Sequence, residues 1–339
     1  MKTLICNKPE EMVYIDRPMP TPKDDEVLLK IKAIGICGTD IHAYTGHQPF
    51  FNYPRVLGHE ISGIIESVGP KCEGISKGDK VAVMPVKYCG KCPACKAGKT
   101  NCCESASLYG VHEDGGFCEY LAVKSENILK VPESFSFLDA AYIEPYTISA
   151  HAVRRSAISG GENVIVVGAG PIGIGVAAVA KAKGANVVVV DVQDSRLEHI
   201  EKCLQLKTLN PTSETYEDDL KAAFNGELAQ VLFDVTGNKR AMTNAVNYIC
   251  HGGKIVFVGL YIGDLQIDDP TFHKKETTLL SSRNSSKEDY DYVVSLFESG
   301  DLRSDFLNNF QFDFETIGHT YREDVVDNKE LIKGVINFK

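Results

Sequence analysis

The rhythm of hydrophobic positions divides the chain into three textures. Up to about residue 148, short runs such as EVLLKIKAIGI, ISGIIESVG and DKVAVMPV alternate with Gly, Pro and Asp clusters. That pattern predicts a twisted, barrel-like β region. Between about 149 and 284, valine-rich strands (NVIVVGAG, NVVVVDV, LAQVLFDVTG, GGKIVFVGL) alternate with helix-length stretches such as PIGIGVAAVAKAKG. Apolar strands spaced by helices predict a parallel sheet covered on both faces, the doubly wound α/β class. From 285 to 339, KEDYDYVVSLFESG places Tyr292, Val293, Leu296 and Phe297 at amphipathic helical spacing, and KGVINFK reads as a strand. This last segment is expected to return to the first domain, so the expected division is 1–148 with 285–339, and 149–284.

One run looks like a membrane span. NVIVVGAGPIGIGVAAVA, residues 163–180, carries no charge over eighteen positions, which just meets the length of a spanning helix. Its four glycines and one proline instead suit a buried strand turning into a helix, so no membrane partner is expected.

Composition narrows the class. A chain of 339 residues suits two domains, and 43% hydrophobic with 24% charged residues is the balance of a folded, water-soluble protein. Thirty-six basic against 46 acidic side chains give a net charge of -10, which argues against a nucleic-acid partner whose phosphates must be neutralised. The first apolar run is only three residues long before Asn7 and Lys8, too short for a secretory signal, and a cytoplasmic location is expected. Eleven cysteines without such a signal suggest metal rather than a disulfide framework.

The glycines Gly168, Gly170 and Gly173 form G-x-G-x-x-G directly after a predicted strand and at the opening of a predicted helix. The first permits a tight turn, the second lets the backbone approach a pyrophosphate, and the third lets helix and sheet pack closely. The helix N-terminal amides then face the anion. Asp191 ends the next strand, where a carboxylate accepts from a ribose 2'-hydroxyl and repels a 2'-phosphate, so NAD is expected over NADP. Arg196 is placed either to stack on adenine or to meet a phosphate.

The stretch CGKCPACKAGKTNCC spaces Cys89, Cys92 and Cys95 as C-x2-C-x2-C, with Cys102 or Cys103 as a fourth ligand. Four thiolates close a tetrahedron around zinc and leave no open position, so this site is structural. Iron–sulfur ligation uses a related run but normally continues with x3-C-P. Chemistry must then lie elsewhere. GICGTDIH supplies Cys37, Thr39, Asp40 and His42, and GHEISG supplies His59 and Glu60. One thiolate, one imidazole and one carboxylate leave zinc an exchangeable position.

With these residues in view, the sequence resembles the zinc-dependent medium-chain alcohol and polyol dehydrogenases over essentially its whole length. The likeness runs through GICGTDIH, YPRVLGHEISGIIESVG, the cysteine loop, DGGFCEYLAV, IEPYTISAHAV, VVGAGPIGIG and GGKIVFVGL, and lies nearest to the sugar-acid and polyol branch in GHQPFFNYPRVLGHE, TNCCE and DPTFHKKETTLLSSRN. The resemblance implies a GroES-like catalytic domain and a Rossmann domain, two zinc ions per chain, NAD, a small hydroxy substrate such as a sugar acid or polyol, and a homodimer or homotetramer. It implies a catalytic zinc held by Cys37 and His59, with Glu60 as a direct or water-linked ligand and Glu144 in the carboxylate position of the polyol branch. It selects Cys103 over Cys102 as the fourth structural ligand.

By the same resemblance Thr39 and His42 form the proton relay. Ile172 joins the glycine fingerprint, Val258, Gly259 and Leu260 meet the nicotinamide amide, and Ser282 and Arg283 line the cofactor and substrate edge. Arg283 is the first candidate to answer a substrate carboxylate, with Arg55 and Lys275 behind it. Adjacent strand residues point to opposite faces, so His59 and Glu60 can both reach one metal only if the backbone turns there.

Overall fold

A computed structural model describes residues 1–48 and 51–339. Pro49 and Phe50, which fall within GHQPFFNYPRVLGHE, lie outside the described residues. The chain forms two units, Met1–Glu144 with Leu307–Lys339, and Pro145–Phe306.

In the first unit a seven-stranded sheet runs in the order Ile128–Lys130, Lys80–Val83, Glu60–Val68, Glu26–Gly35, Gly334–Asn337, Phe310–Asp313. Tyr120–Lys124 also pairs with the first half of Glu26–Gly35. The path is open, with no closed barrel among the described residues. Glu26–Gly35 is the organising strand, and most of its side chains are buried. Its pairing with Glu60–Val68 shifts register between Leu28 and Leu29 and between Ile31 and Ala33. Such bulges sharpen twist and curl the sheet around Leu4, Leu29, Ile31, Ile34, Leu57, Ile61 and Phe117, all essentially inaccessible. Lys2–Lys8 pairs with Glu11–Asp16 and Arg55–Val56 in a separate small sheet.

The second unit holds a six-stranded, all-parallel sheet in the order Lys207–Leu209, Asn186–Val190, Asn163–Val167, Ala229–Asp234, Ile249–Phe257, Thr278–Ser281. Strand order reverses at Asn163–Val167, the switch point at which open α/β sheets bind ligands beyond the strands' carboxyl ends. The charge-free run resolves into that strand and the helix Pro171–Ala182, buried from Gly173 to Ala180. Among the described residues no helix is long and apolar enough to cross a membrane.

The helix Lys287–Ser299 belongs to this second unit. Asp289, in its first turn, accepts from Arg154 Nε at 2.7 Å and lies 2.9 Å from His151 Nδ1. Both partners sit on the helix Phe137–Ser156.

Candidate active site

Three adjacent strands set up the site in the first unit. Glu60 pairs with Gly35, and Gly35 pairs with Val335 on the far side. Two residues past Gly35, Cys37 caps the helix Gly38–Tyr44, and its amide donates to Asp40 Oδ2 at 2.9 Å. The other oxygen of Asp40 accepts from the Gly58 amide at 3.0 Å and stands 3.8 Å from His59 Nδ1. One fully buried carboxylate thus joins the start of the Cys37 helix to the turn that carries His59.

That turn is the backbone change that two neighbouring residues need if both are to face one point. Gly58 has φ +87°, and a Cβ there would fall 2.4 Å from Ile34 Cδ1, so only glycine fits. The strand begins at Glu60, leaving His59 in the turn. Ligand atoms of Cys37, His59 and Glu60 all come within 4.8 Å of one another.

The donor set fits a metal ion. Oε2 of Glu60 and Nδ1 of His59 are buried without a hydrogen-bond partner, and an unsatisfied buried carboxylate oxygen is costly unless a cation answers it. Sulfur, imidazole and carboxylate together suit zinc. Burial would lower the His59 pKa, but the neighbouring Cys37 and Asp40 raise it well above its ordinary value. Burial pushes the Glu144 carboxyl up to about 7, with His59 pulling it down and Glu60 adding to the rise. Glu144 lies outside the cluster of three.

Thr39 and His42 stand one turn apart on the helix Gly38–Tyr44, Thr39 half-buried and His42 exposed. Among the described residues no hydrogen bond joins their side chains.

The cysteine loop brings together Cys89, Cys92, Cys95 and Cys103, their sulfurs all within 4.8 Å of one another, while Cys102 is exposed and outside the group. Backbone amides already point at the sulfurs: Cys89 N donates to Cys103 Sγ at 3.3 Å and Cys92 N to Cys89 Sγ at 3.4 Å. Amide donors from Lys91 and Cys92 hold the Cys89 thiol down to about 6. Burial pushes the Cys95 thiol the other way, up to about 12, so the case for a metal rests on the four converging sulfurs.

In the second unit Gly168 has φ +108°, and a Cβ on Gly173 would fall 1.8 Å from the Gly168 carbonyl oxygen, so helix and turn touch. Gly170 is the N-cap of the helix Pro171–Ala182, and the Ile172 carbonyl accepts from Ser149 Oγ at 3.1 Å. Asp191 is seated against this turn: its oxygens accept from the Ala169 amide at 2.6 Å and the Gln193 amide at 2.9 Å. Arg196 brings Nη1 to 4.0 Å from the position of a Cβ on Gly170, over the glycine that a pyrophosphate would approach.

The amides of Val258 and Gly259 are spent on the Asp234 carbonyl at 2.9 and 3.0 Å, while Leu260 is 74% exposed. Ser282 is buried with an unpartnered hydroxyl, and Arg283 beside it is exposed. Of the two reserve cations, Arg55 brings Nη1 to 3.7 Å from Asp114 while its Nε is buried without a hydrogen-bond partner. Lys275 donates to the carbonyls of Val246 and Ile249 at 2.8 and 2.7 Å, closing the end of a short helical turn, so its ammonium is not available to a substrate.

Two residues had no role in the sequence reading. Asp40 carried a legible signal, since a carboxylate three residues after an N-cap is a capping arrangement. Lys333 carried none: its Nζ bonds Glu60 Oε1 across 273 positions, with the two side chains 4% and 1% exposed.

The chain matches the family described as alcohol dehydrogenase GroES-like domain over residues 23–133, and that described as zinc-binding dehydrogenase over 171–299. It is 54% identical over 338 residues to L-galactonate-5-dehydrogenase of Escherichia coli K12, covering 100% of this chain and 99% of that one. It is 36% identical to 2-dehydro-3-deoxy-L-galactonate 5-dehydrogenase of Pseudoalteromonas atlantica, covering 83% and 82%. Among solved structures, an alcohol dehydrogenase (rspB) from E. coli CFT073 complexed with NADH superposes with TM-score 0.91 at 34% identity, covering 100% and 99%.

Proposed function

This chain belongs to the zinc-dependent medium-chain alcohol and polyol dehydrogenases, and on that premise we propose that it oxidises a secondary hydroxyl of a sugar acid of the L-galactonate kind to a ketone, with NAD accepting the hydride. The observation that carries the substrate class is the 54% identity, end to end, with a dehydrogenase of L-galactonate. The carbinol carbon loses a hydride to NAD, its oxygen loses a proton, and the products are ketone, NADH and one proton.

Cys37, His59 and Glu60 hold the catalytic zinc, with Glu144 as a nearby second carboxylate, and Cys89, Cys92, Cys95 and Cys103 hold a structural one. When bound, the catalytic ion supplies Lewis acidity that brings a hydroxyl pKa towards neutrality. Thr39 accepts a hydrogen bond from the substrate hydroxyl and passes its own proton on as it receives the substrate's, and His42, on the exposed side of the helix, releases a proton to water, with solvent bridging the two side chains. The amides at the start of the helix Pro171–Ala182 receive the pyrophosphate, and Asp191 receives the adenosine ribose. Residues 258–260, Ser282 and Arg283 line the nicotinamide and substrate edge, and Arg283 answers the substrate carboxylate.

We also propose a homo-oligomer. Thr278–Ser281 is an edge strand; Leu279 on it, and Leu260, Ile262 and Ile267 in the segment that follows its neighbour Ile249–Phe257, are exposed apolar residues. A cytoplasmic location suits a chain whose described cysteines form no disulfide.

The test is NADH formation by purified protein with NAD and a panel of aldonates, polyols and polyol phosphates. Turnover with L-galactonate or a close aldonate is expected; turnover confined to neutral polyols or their phosphates would reassign the substrate.

A further inference from the structure

A lysine buried to 4% exposure needs a reason, because an ammonium taken out of water is stable only beside a matched charge. Lys333 stands immediately before the strand Gly334–Asn337, which inserts between Glu26–Gly35 and Phe310–Asp313. The Ile36 amide donates to Gly334 O at 2.9 Å, which brings the end of this strand level with the approach to Cys37. Asn309 clamps the lysine backbone from both directions. Its Oδ1 accepts from the amides of Ile332 and Lys333 at 3.0 and 3.1 Å, and its own amide donates to Lys333 O at 3.1 Å.

Glu60 lies two strands away, beyond Gly35. It reaches Lys333 because position 35 has no side chain: a Cβ there would fall 1.9 Å from Glu60 Oε2 and 3.1 Å from the Tyr142 ring. The carboxylate therefore lies across the middle strand. Tyr142 walls the far side, its ring centroid 5.9 Å from Nζ and its hydroxyl held by Asn308 Oδ1 at 2.8 Å. One oxygen of Glu60 is anchored and the other is left without a hydrogen-bond partner.

We propose that Lys333 is a positioning residue of the open metal site: it anchors one oxygen of Glu60 so that the other faces the ion, and it offsets one negative charge of a site built from a thiolate and several buried carboxylates. This rests on the reading of Cys37, His59 and Glu60 as metal ligands. Partners that orient a metal ligand contribute about ten- to a hundredfold in metal affinity, and an ammonium fixed by its backbone on one side and a carboxylate on the other is such a partner.

The test measures metal and not turnover. Stripped protein is titrated with zinc against a chromophoric chelator for the wild type, Lys333→Met, Lys333→Arg, Glu60→Gln and the Lys333→Met/Glu60→Gln double variant. Wild type should take two equivalents. Lys333→Met should keep the four-cysteine equivalent unchanged and bind the other about ten- to a hundredfold more weakly, Lys333→Arg should recover most of the loss, and the double variant should bind no worse than Glu60→Gln. Should Lys333→Met not fold, Lys333→Gln, which retains a hydrogen-bond donor without the charge, takes its place in the same comparison. Unchanged affinity on loss of the charge, or an equal loss with Glu60 already replaced, overturns the proposal. A wild type that takes only the four-cysteine equivalent would instead overturn the metal-site reading beneath it.

Discussion

A methyl group on Gly35 would stand 1.9 Å from Oε2 of Glu60. The glycine is thus part of the site although it bears no functional group. Gly35→Ala is expected to displace the carboxylate, to cost about 1–3 kcal/mol of stability by overpacking and to weaken the open metal site by at least about tenfold. Zinc content after dialysis, together with denaturant unfolding, separates the two effects. Full retention of both metals would show that the carboxylate can leave position 35 without consequence.

The adjacent cysteines at 102 and 103 should behave as opposites. Cys103→Ser is expected to release the structural zinc and destabilise the first unit by at least about 2 kcal/mol, because metal binding there is folding energy. Cys102→Ser, at an exposed sulfur outside the cluster, should change stability by no more than about 0.5 kcal/mol. Metal analysis and thermal melting of the two variants give the comparison.

Cofactor choice should turn on Asp191. Because its oxygens also accept the Ala169 and Gln193 amides, Asp191→Ala removes both a ribose acceptor and a brace of the glycine turn. A tenfold to hundredfold fall in kcat/KM for NAD, about the value of a charged hydrogen bond, is expected, with a smaller fall for NADP. Equal losses with both cofactors would mean that the brace alone matters.

Stability of the second unit should fall in acid through Asp289. Burial would raise its carboxyl, but hydrogen bonds from His151 and Arg154 outweigh burial and hold it well below the usual carboxylate range. A depressed folded pKa contributes stability that is complete above the unfolded value, about 3.9, and disappears as pH falls through the folded one. Asp289 is 1% exposed, but Arg154 is 38% exposed and screened by water, so Asp289→Asn should cost about 2 kcal/mol at neutral pH. The gap between wild type and variant should narrow progressively below about pH 4. A gap that widens in acid would contradict this assignment of charge.

Legibility in the sequence followed the range of the interaction. The glycine turn and the first three cysteines of the loop are each decided within a few residues, and spacing exposes them; the choice of Cys103 over Cys102 came from the family resemblance, and the capping of Cys37 by Asp40, equally local, went unread. His59 beside Glu60 was legible as chemistry but not as geometry, because strand alternation sets the two apart until the left-handed turn at Gly58 is seen. Glu60 with Lys333 was invisible, since no local pattern tells which lysine will be drawn inside by a strand pairing. Lys275 failed as a substrate ligand for a related reason: its role depends on which carbonyls end a turn some thirty positions earlier.

The two metal sites also differ in when they can exist. The sulfur cage closes over fourteen positions, from Cys89 to Cys103, a loop cheap to form and available as soon as that stretch of chain is free. The anchor of the other site must travel 273 positions before it meets its carboxylate, and contacts of such separation come late. During synthesis an ion in the first could therefore serve as an early nucleus for its unit, whereas one in the second would have a finished seat only after residues 145–306 have been made and the strand that follows Lys333 has threaded home.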